Sequence, residues 1–134
     1  MTTAALPAGS PLTALSDDEQ SFYDSVVEFA DREVRPRVRE MDEAGKIPRA
    51  LVDQLFALGV MGIEVPEALD GAGGRFFHAV LAVEALSAVD PSIGVLVDAH
   101  NTLVLNAFLR WGTDDLKQRY LPQLAMTGVC HVKT

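Results

Sequence analysis

The 134 residues hold a single cysteine, Cys130, so no internal disulfide can form and the chain suits a reducing compartment, read as the cytoplasm. Basic residues are also scarce, 11 against 19 acidic ones, for a net charge of −8. With no basic stripe to neutralise phosphates, nucleic acid and anionic membrane surfaces are not expected as partners. The opening "MTTAALPAGSPLTAL" lacks the charged start and long apolar centre of a secretory signal, and residues 1–14 read as a disordered arm. No apolar run reaches membrane-spanning length without interruption; the longest, "FFHAVLAVEALSAV", is broken by His78 and Glu84. Internal repeats, heptads and low-complexity tracts are missing. Strand signals are faint, with "GIEV" too short and the terminal "GVCHVKT" the better candidate.

What remains is helical. Ser16 with Glu19 three residues on forms a capping box, and Phe22, Val26, Phe29 or Ala30, and Val34 give one apolar stripe. Pro36 should bend or interrupt that helix before Gly45 ends it. Pro48 opens a second helix carrying Leu51, Val52, Leu55, Phe56 and Leu58, closed by Gly59. Two long helices are predicted over 75–89 and 91–111, separated by Asp90 as cap and Pro91 at the first helical position. On the second, Ile93, Leu96, Val97, His100, Leu103, Val104, Ala107, Phe108 and Trp111 form the expected stripe, leaving Val95, Leu105 and Leu109 outside it. Apolar residues that nearly encircle both helices predict that both are buried. Thr113 caps a last helix in which Leu116, Tyr120 and Leu124 recur every fourth residue and Pro122 should introduce a kink or an early end. The fold expected is all-α, an antiparallel up-and-down bundle of about five helices.

Side chains able to do chemistry are thinly spread. "GAGGRFF" lacks the spacing of a dinucleotide fingerprint and follows a loop rather than a strand, so a turn is favoured over a phosphate cradle. His78, His100 and His131 show no metal-ligand spacing. His100 reads first as a buried histidine with one satisfied nitrogen, and second as the lining of a ligand cavity. Glu84, the sole acid in its apolar helix, reads as a buried, hydrogen-bonded structural carboxylate. Cys130 has no basic neighbour to activate it. No triad, carboxylate pair or metal cage emerges, and no residue is nominated as catalytic, cofactor-binding or metal-binding.

Taken in order, the stretches "EVRPRVREMDEAGKIPRALVDQLFALGVMGIEVPEALDGAGG" and "VEALSAVDPSIGVLVDAHNTLVLNAFLRWGTDDLKQRYLPQLA" resemble the N-terminal helical domain of the acyl-CoA dehydrogenases, nearest the short and branched-chain members. The likeness covers residues 15–127, with 128–134 matching the start of a middle β-domain. Family members oxidise an acyl-CoA thioester to the 2,3-enoyl-CoA: a carboxylate removes the α-proton and a hydride passes from the β-carbon to FAD. The resemblance implies a bundle that closes one wall of the acyl cavity, with Ala99, His100 and Leu103 of "DAHNTL" as pocket candidates. In the family the counterpart of "GIEVPEALDGAGG" links helices and usually reads closer to P-E-E-Y-G-G, from which Ala68, Leu69 and Asp70 depart. FAD and the catalytic base belong to the other domains in the complete enzyme, so no flavin binding and no turnover are expected of this chain alone. Its expected partners are those domains, or a second copy through the apolar helix faces. The alternative is a stand-alone acyl-binding or protein-interaction module that has lost the reaction.

Overall fold

This computed structural model describes residues 11 and 13–128, and every regular element among them is helical. Five rods are present among the described residues. The first starts as α1 (Asp17–Phe29), passes through a π-helical turn (Ala30–Val34) and a 3-10 turn (Arg35–Arg37), and continues as α2 (Val38–Ala44). Then come α3 (Arg49–Leu58) and α4 (Phe76–Ser87). The fourth rod is α5 (Pro91–Asp98), a π-helical stretch (Ala99–Leu105) and α6 (Asn106–Trp111), and α7 (Asp114–Met126) closes the bundle. The strand expected beyond Gly128, together with Cys130 and His131, lies outside the described residues, as does most of the N-terminal arm.

Local chemistry sets the rod ends. The Ser16 hydroxyl accepts from the Glu19 amide at 3.3 Å, and the Glu19 carboxylate accepts from the Ser16 amide at 2.9 Å, completing the predicted box. Asp90 accepts from the Ser92 amide at 2.8 Å, and Thr113 caps α7 through the Leu116 amide. Pro36 cannot donate to the carbonyl four residues back. The chain answers with a wide turn followed by a tight one: Arg35 N–H reaches Ala30 O, and Val38 N–H reaches Arg35 O. The predicted interruption is therefore real and occupies eight residues, Ala30 to Arg37. Pro122 behaves otherwise. It does not shorten α7, which runs through it to Met126.

The main core joins α1, α3, α4 and α5 around Val26, Leu51, Leu55, Leu86 and Ile93, none of them more than 1% exposed. Each such side chain contributes about 1.5–3 kcal/mol by leaving water. A smaller cluster of Val65, Leu105, Leu121, Leu124 and Ala125 fastens α7 to the fourth rod. The α7 stripe is thus offset from the predicted one. Leu124 is buried as expected and Tyr120 half-buried, but Leu121 and Ala125 take the inner positions and Leu116 is exposed.

The fourth rod corrects the sequence reading more deeply. Its inward positions are Ile93, Val97, Asn101 and Leu105, one every fourth residue, while Leu103, Val104, Ala107 and Trp111 face out. A regular α-helix cannot hold every fourth residue on one line, because positions four apart overshoot a full turn. The π-helical stretch supplies the wider turn that brings them back. The encircling apolar residues therefore do not signal burial: Val95 is 65% exposed, Leu103 72% and Trp111 86%. On α4 the outward line is Phe76, Val80 and Glu84, so Glu84 is an exposed acid rather than the buried, paired one expected. By length and composition the rod Pro91–Trp111 could cross a membrane, which the search for uninterrupted apolar runs missed. Here it packs as a bundle helix, with Asn101 buried and hydrogen-bonded at its centre.

Candidate functional site

The loop between α3 and α4 is a closed structure. Its carbonyls and amides pair across it: Ala72 N–H donates to Gly62 O at 2.9 Å, Gly73 N–H to Val65 O at 2.9 Å, and Gly74 N–H to Ile63 O at 2.7 Å. Gly71 N–H donates to Pro66 O at 3.1 Å, and Arg75 N–H donates to His78 Nδ1, also at 3.1 Å. Five consecutive amides, from Gly71 to Arg75, are thus engaged inside the fold. A phosphate cradle needs several amides free and convergent. The run from Gly71 to Arg75 has none to offer, and the turn reading of these glycines holds.

Asn101 ties the loop to the wide turn of the fourth rod. Its Nδ2 donates to Val60 O at 2.8 Å and to Val97 O at 2.9 Å, while its Oδ1 accepts from Ile63 N–H at 3.0 Å. The amide is 3% exposed with both donors and its acceptor engaged, which a buried polar side chain requires. Five residues on, Asn106 Nδ2 donates to Glu64 Oε2 at 3.1 Å. Sequence reasoning missed both asparagines as structural keys. The available signal was an amide recurring inside an apolar rod, at Asn101 and Asn106.

His100, the central pocket candidate, turns toward α7. Its Nε2 lies 3.0 Å from Leu124 O and its ring meets Phe56 edge-on, with centroids 5.5 Å apart. Burial holds the imidazole below its ordinary 6.5, outweighing an opposite push from the Leu124 carbonyl. The ring is then neutral in the fold, with Nε2–H donating. Because the unfolded chain takes up that proton more readily, this contribution is complete above about pH 6.5 and is lost as pH falls below it toward the folded value. We expect the melting temperature to drop as the pH falls below about 6.5, and His100→Gln to make that drop shallower. An unchanged slope in the variant would contradict the assignment.

The other two candidates part from His100. Leu103 lines an outer trough of about 450 Å³ with Phe76, Asn106, Ala107, Arg110 and Trp111. Ala99 is half-buried at the start of the wide turn. The structure therefore brings Leu103 into an apolar trough and sets the His100 ring behind the rod, against α3 and α7. A second cleft, of about 430 Å³, opens between α3, the glycine loop and the end of α7, floored by Phe56, Ala57, Ala125 and Met126.

At the opposite edge, the starts of α1 and α4 are joined. Arg75 Nη2 lies 2.6 Å from Glu19 Oε1, and the His78 ring meets Phe22 edge-on at 5.2 Å. The Ser16 amide, then the Ser16 hydroxyl and Arg75, hold the Glu19 carboxyl below its ordinary 4.5 against the opposing effect of burial. Among the described residues, no three His, Cys, Asp or Glu side chains converge as a metal site would need.

Comparison with known proteins adds the family context. Residues 16–127 match the family described as acyl-CoA dehydrogenase, N-terminal domain. The probable short/branched chain specific acyl-CoA dehydrogenase of Dictyostelium discoideum is 39% identical over 119 residues, which are 89% of this chain and 29% of that protein. The mitochondrial short/branched chain specific enzyme of Bos taurus is 38% identical, over 89% of this chain and 28% of its own length. Among solved structures, butyryl-CoA dehydrogenase from Megasphaera elsdenii superposes with a TM-score of 0.79 at 29% identity, covering 85% of this chain and 30% of that one. The chain thus spans under a third of the length of the relatives it matches.

Proposed function

The chain belongs to the acyl-CoA dehydrogenases through their N-terminal domain, and on that premise we propose that it forms one wall of an acyl pocket in a flavin-dependent desaturation of an acyl-CoA thioester. The substrate class proposed is short or branched acyl-CoA, after the names of the relatives above. One observation carries the reading. Phe76, Leu103 and Trp111 line one outer trough and are exposed, and an apolar patch of this kind marks a binding or interaction surface. Leu103 is the residue proposed to meet the acyl chain, Ala99 borders it, and His100 supports the wall from behind through Leu124 and Phe56.

FAD would accept the hydride in such a reaction, and the glycine run offers its phosphates no free amides, since those from Gly71 to Arg75 are all engaged. We therefore place flavin binding and proton abstraction in the other domains of the enzyme, and propose no turnover by this chain alone. With its one cysteine, the protein is assigned to a reducing compartment, the cytoplasm.

Reconstitution tests this. The chain is mixed with a polypeptide carrying the flavin and C-terminal domains of a short/branched-chain enzyme, and acyl-CoA-dependent dye reduction is followed. Activity is expected only in the mixture, and Leu103→Arg should lower it at least tenfold, about 1.4 kcal/mol of lost pocket complementarity. Dye reduction by the 134-residue chain by itself, or none in the mixture, would overturn the assignment. The module reading draws on one feature, that the caps at Ser16, Asp90 and Thr113 are all satisfied within the bundle itself.

A further inference from the structure

Between α2 with its Gly45 turn and the turn from α4 into α5, the bundle leaves a cleft of about 950 Å³. That volume is in the range of small-molecule sites. The covered part of its lining is apolar: Met41 belongs to the main core, and Val38, Ile47 and Val89 are half-buried against that core. The exposed part carries Arg35, Arg39 and Lys46, three of the 11 basic residues of a chain with net charge −8. Arg35 meets Asp31 at 2.6 Å and Arg39 meets Glu43 at 2.8 Å, both in exposed pairs that hold little. The Lys46 ammonium has no partner among the described residues. Two acids share the cleft. Asp42 is exposed and makes no ion pair, while Asp90 is buried and its Oδ1 accepts from the Ser92 amide at 2.8 Å and hydroxyl at 2.5 Å.

We propose that this cleft binds an amphipathic anion, a straight-chain carboxylate whose tail lies on Val38, Met41, Ile47 and Val89 and whose head is held by Lys46. The tail leaves water against side chains that the core only partly covers, which is favourable in proportion to the apolar area removed. The head gains a charge-assisted bond to an ammonium that no other group competes for. Three basic side chains beside the floor disfavour a cationic head, and a neutral head would leave Lys46 unused. A single unpaired cation also suits a single negative charge: a phosphate dianion would need Arg35 or Arg39 to give up its carboxylate as well. The cleft shares no lining residue with the trough of Leu103 and Trp111, so this inference is independent of the desaturation reading.

Titration of the full chain with decanoate, followed through amide chemical shifts, tests it. Saturable shifts are expected at Lys46, Ile47 and Val89, with the amides of Leu103 and Trp111 unmoved. Decanol and decyltrimethylammonium, which keep the tail and change the head, should bind at least about tenfold more weakly. Lys46→Glu should weaken decanoate binding at least about tenfold, and Lys46→Arg should hold it within about twofold. Lys117→Glu makes the same change of charge on α7, outside the cleft, and should bind as the parent does. The helical circular dichroism spectrum should be the same for all three variants. Shifts that never saturate, or that centre on Trp111, would overturn the proposal. So would decanol or decyl phosphate binding as tightly as decanoate, or an equal loss in the Lys46→Glu and Lys117→Glu variants.

Discussion

Gly71→Ala is expected to lower the stability of the bundle by about 3 kcal/mol, roughly 10 °C in melting temperature for a chain of this size. A Cβ at Gly71 would lie 2.1 Å from the Val65 carbonyl oxygen and 2.3 Å from the Val65 side chain. Neither neighbour can yield. Val65 is fully buried in the α7 cluster, and its carbonyl accepts the Gly73 amide. The added methyl must therefore push the two arms of the loop apart and strain the whole set of cross-loop bonds. Gly45→Ala is the control. Its φ of +59° also disfavours a side chain, but nothing lies within 4 Å, so only the cost of the left-handed backbone, about 1 kcal/mol, applies. Thermal melts of the two variants should separate clearly, and equal losses would show that the loop yields to the added methyl and that close approach does not fix Gly71.

Asn101→Leu should be comparably severe, about 3–4 kcal/mol, although leucine is close to asparagine in shape. The substitution leaves Ile63 N–H and Val60 O buried with no partner, and each such group costs about 1–3 kcal/mol. Local loosening should precede global unfolding. Amide exchange at Ile63, in the loop that Asn101 holds, is expected to accelerate far more than exchange at Val26 or Leu55, which lie within α1 and α3. Uniform acceleration across all three amides would mean that Asn101 holds the whole core rather than the loop.

Much of this fold is legible because helix ends are local chemistry. Ser16 with Glu19, Asp90 with Pro91, and Thr113 announce their helices within four residues of chain, and the structure places each cap where the sequence does. The stripe on the first rod is equally plain, with Val26, Phe29, Ala30 and Val34 all buried. What escapes is anything decided across the bundle. The wide turn at Ala99–Leu105 shifts the buried line onto Asn101 and Leu105 because Asn101 reaches Val60 and Ile63, some forty positions earlier. A regular 3.6-residue period cannot contain that information. The same shift explains the separation of the pocket candidates: a uniform helix sets His100 and Leu103 on one face, and the wide turn sends one ring to Leu124 and leaves the other side chain outside. Glu84 was misread for a related reason, since an apolar neighbourhood in sequence does not tell which side of α4 the bundle covers.

The bond between Glu19 and Arg75 joins residues 56 positions apart. On the ribosome, α1 emerges long before α4, so its first turn must wait with this carboxylate hydrated until Arg75 leaves the exit tunnel. Closure of the main core then cannot precede synthesis of α4, and the bundle is expected to lock in one late step rather than helix by helix.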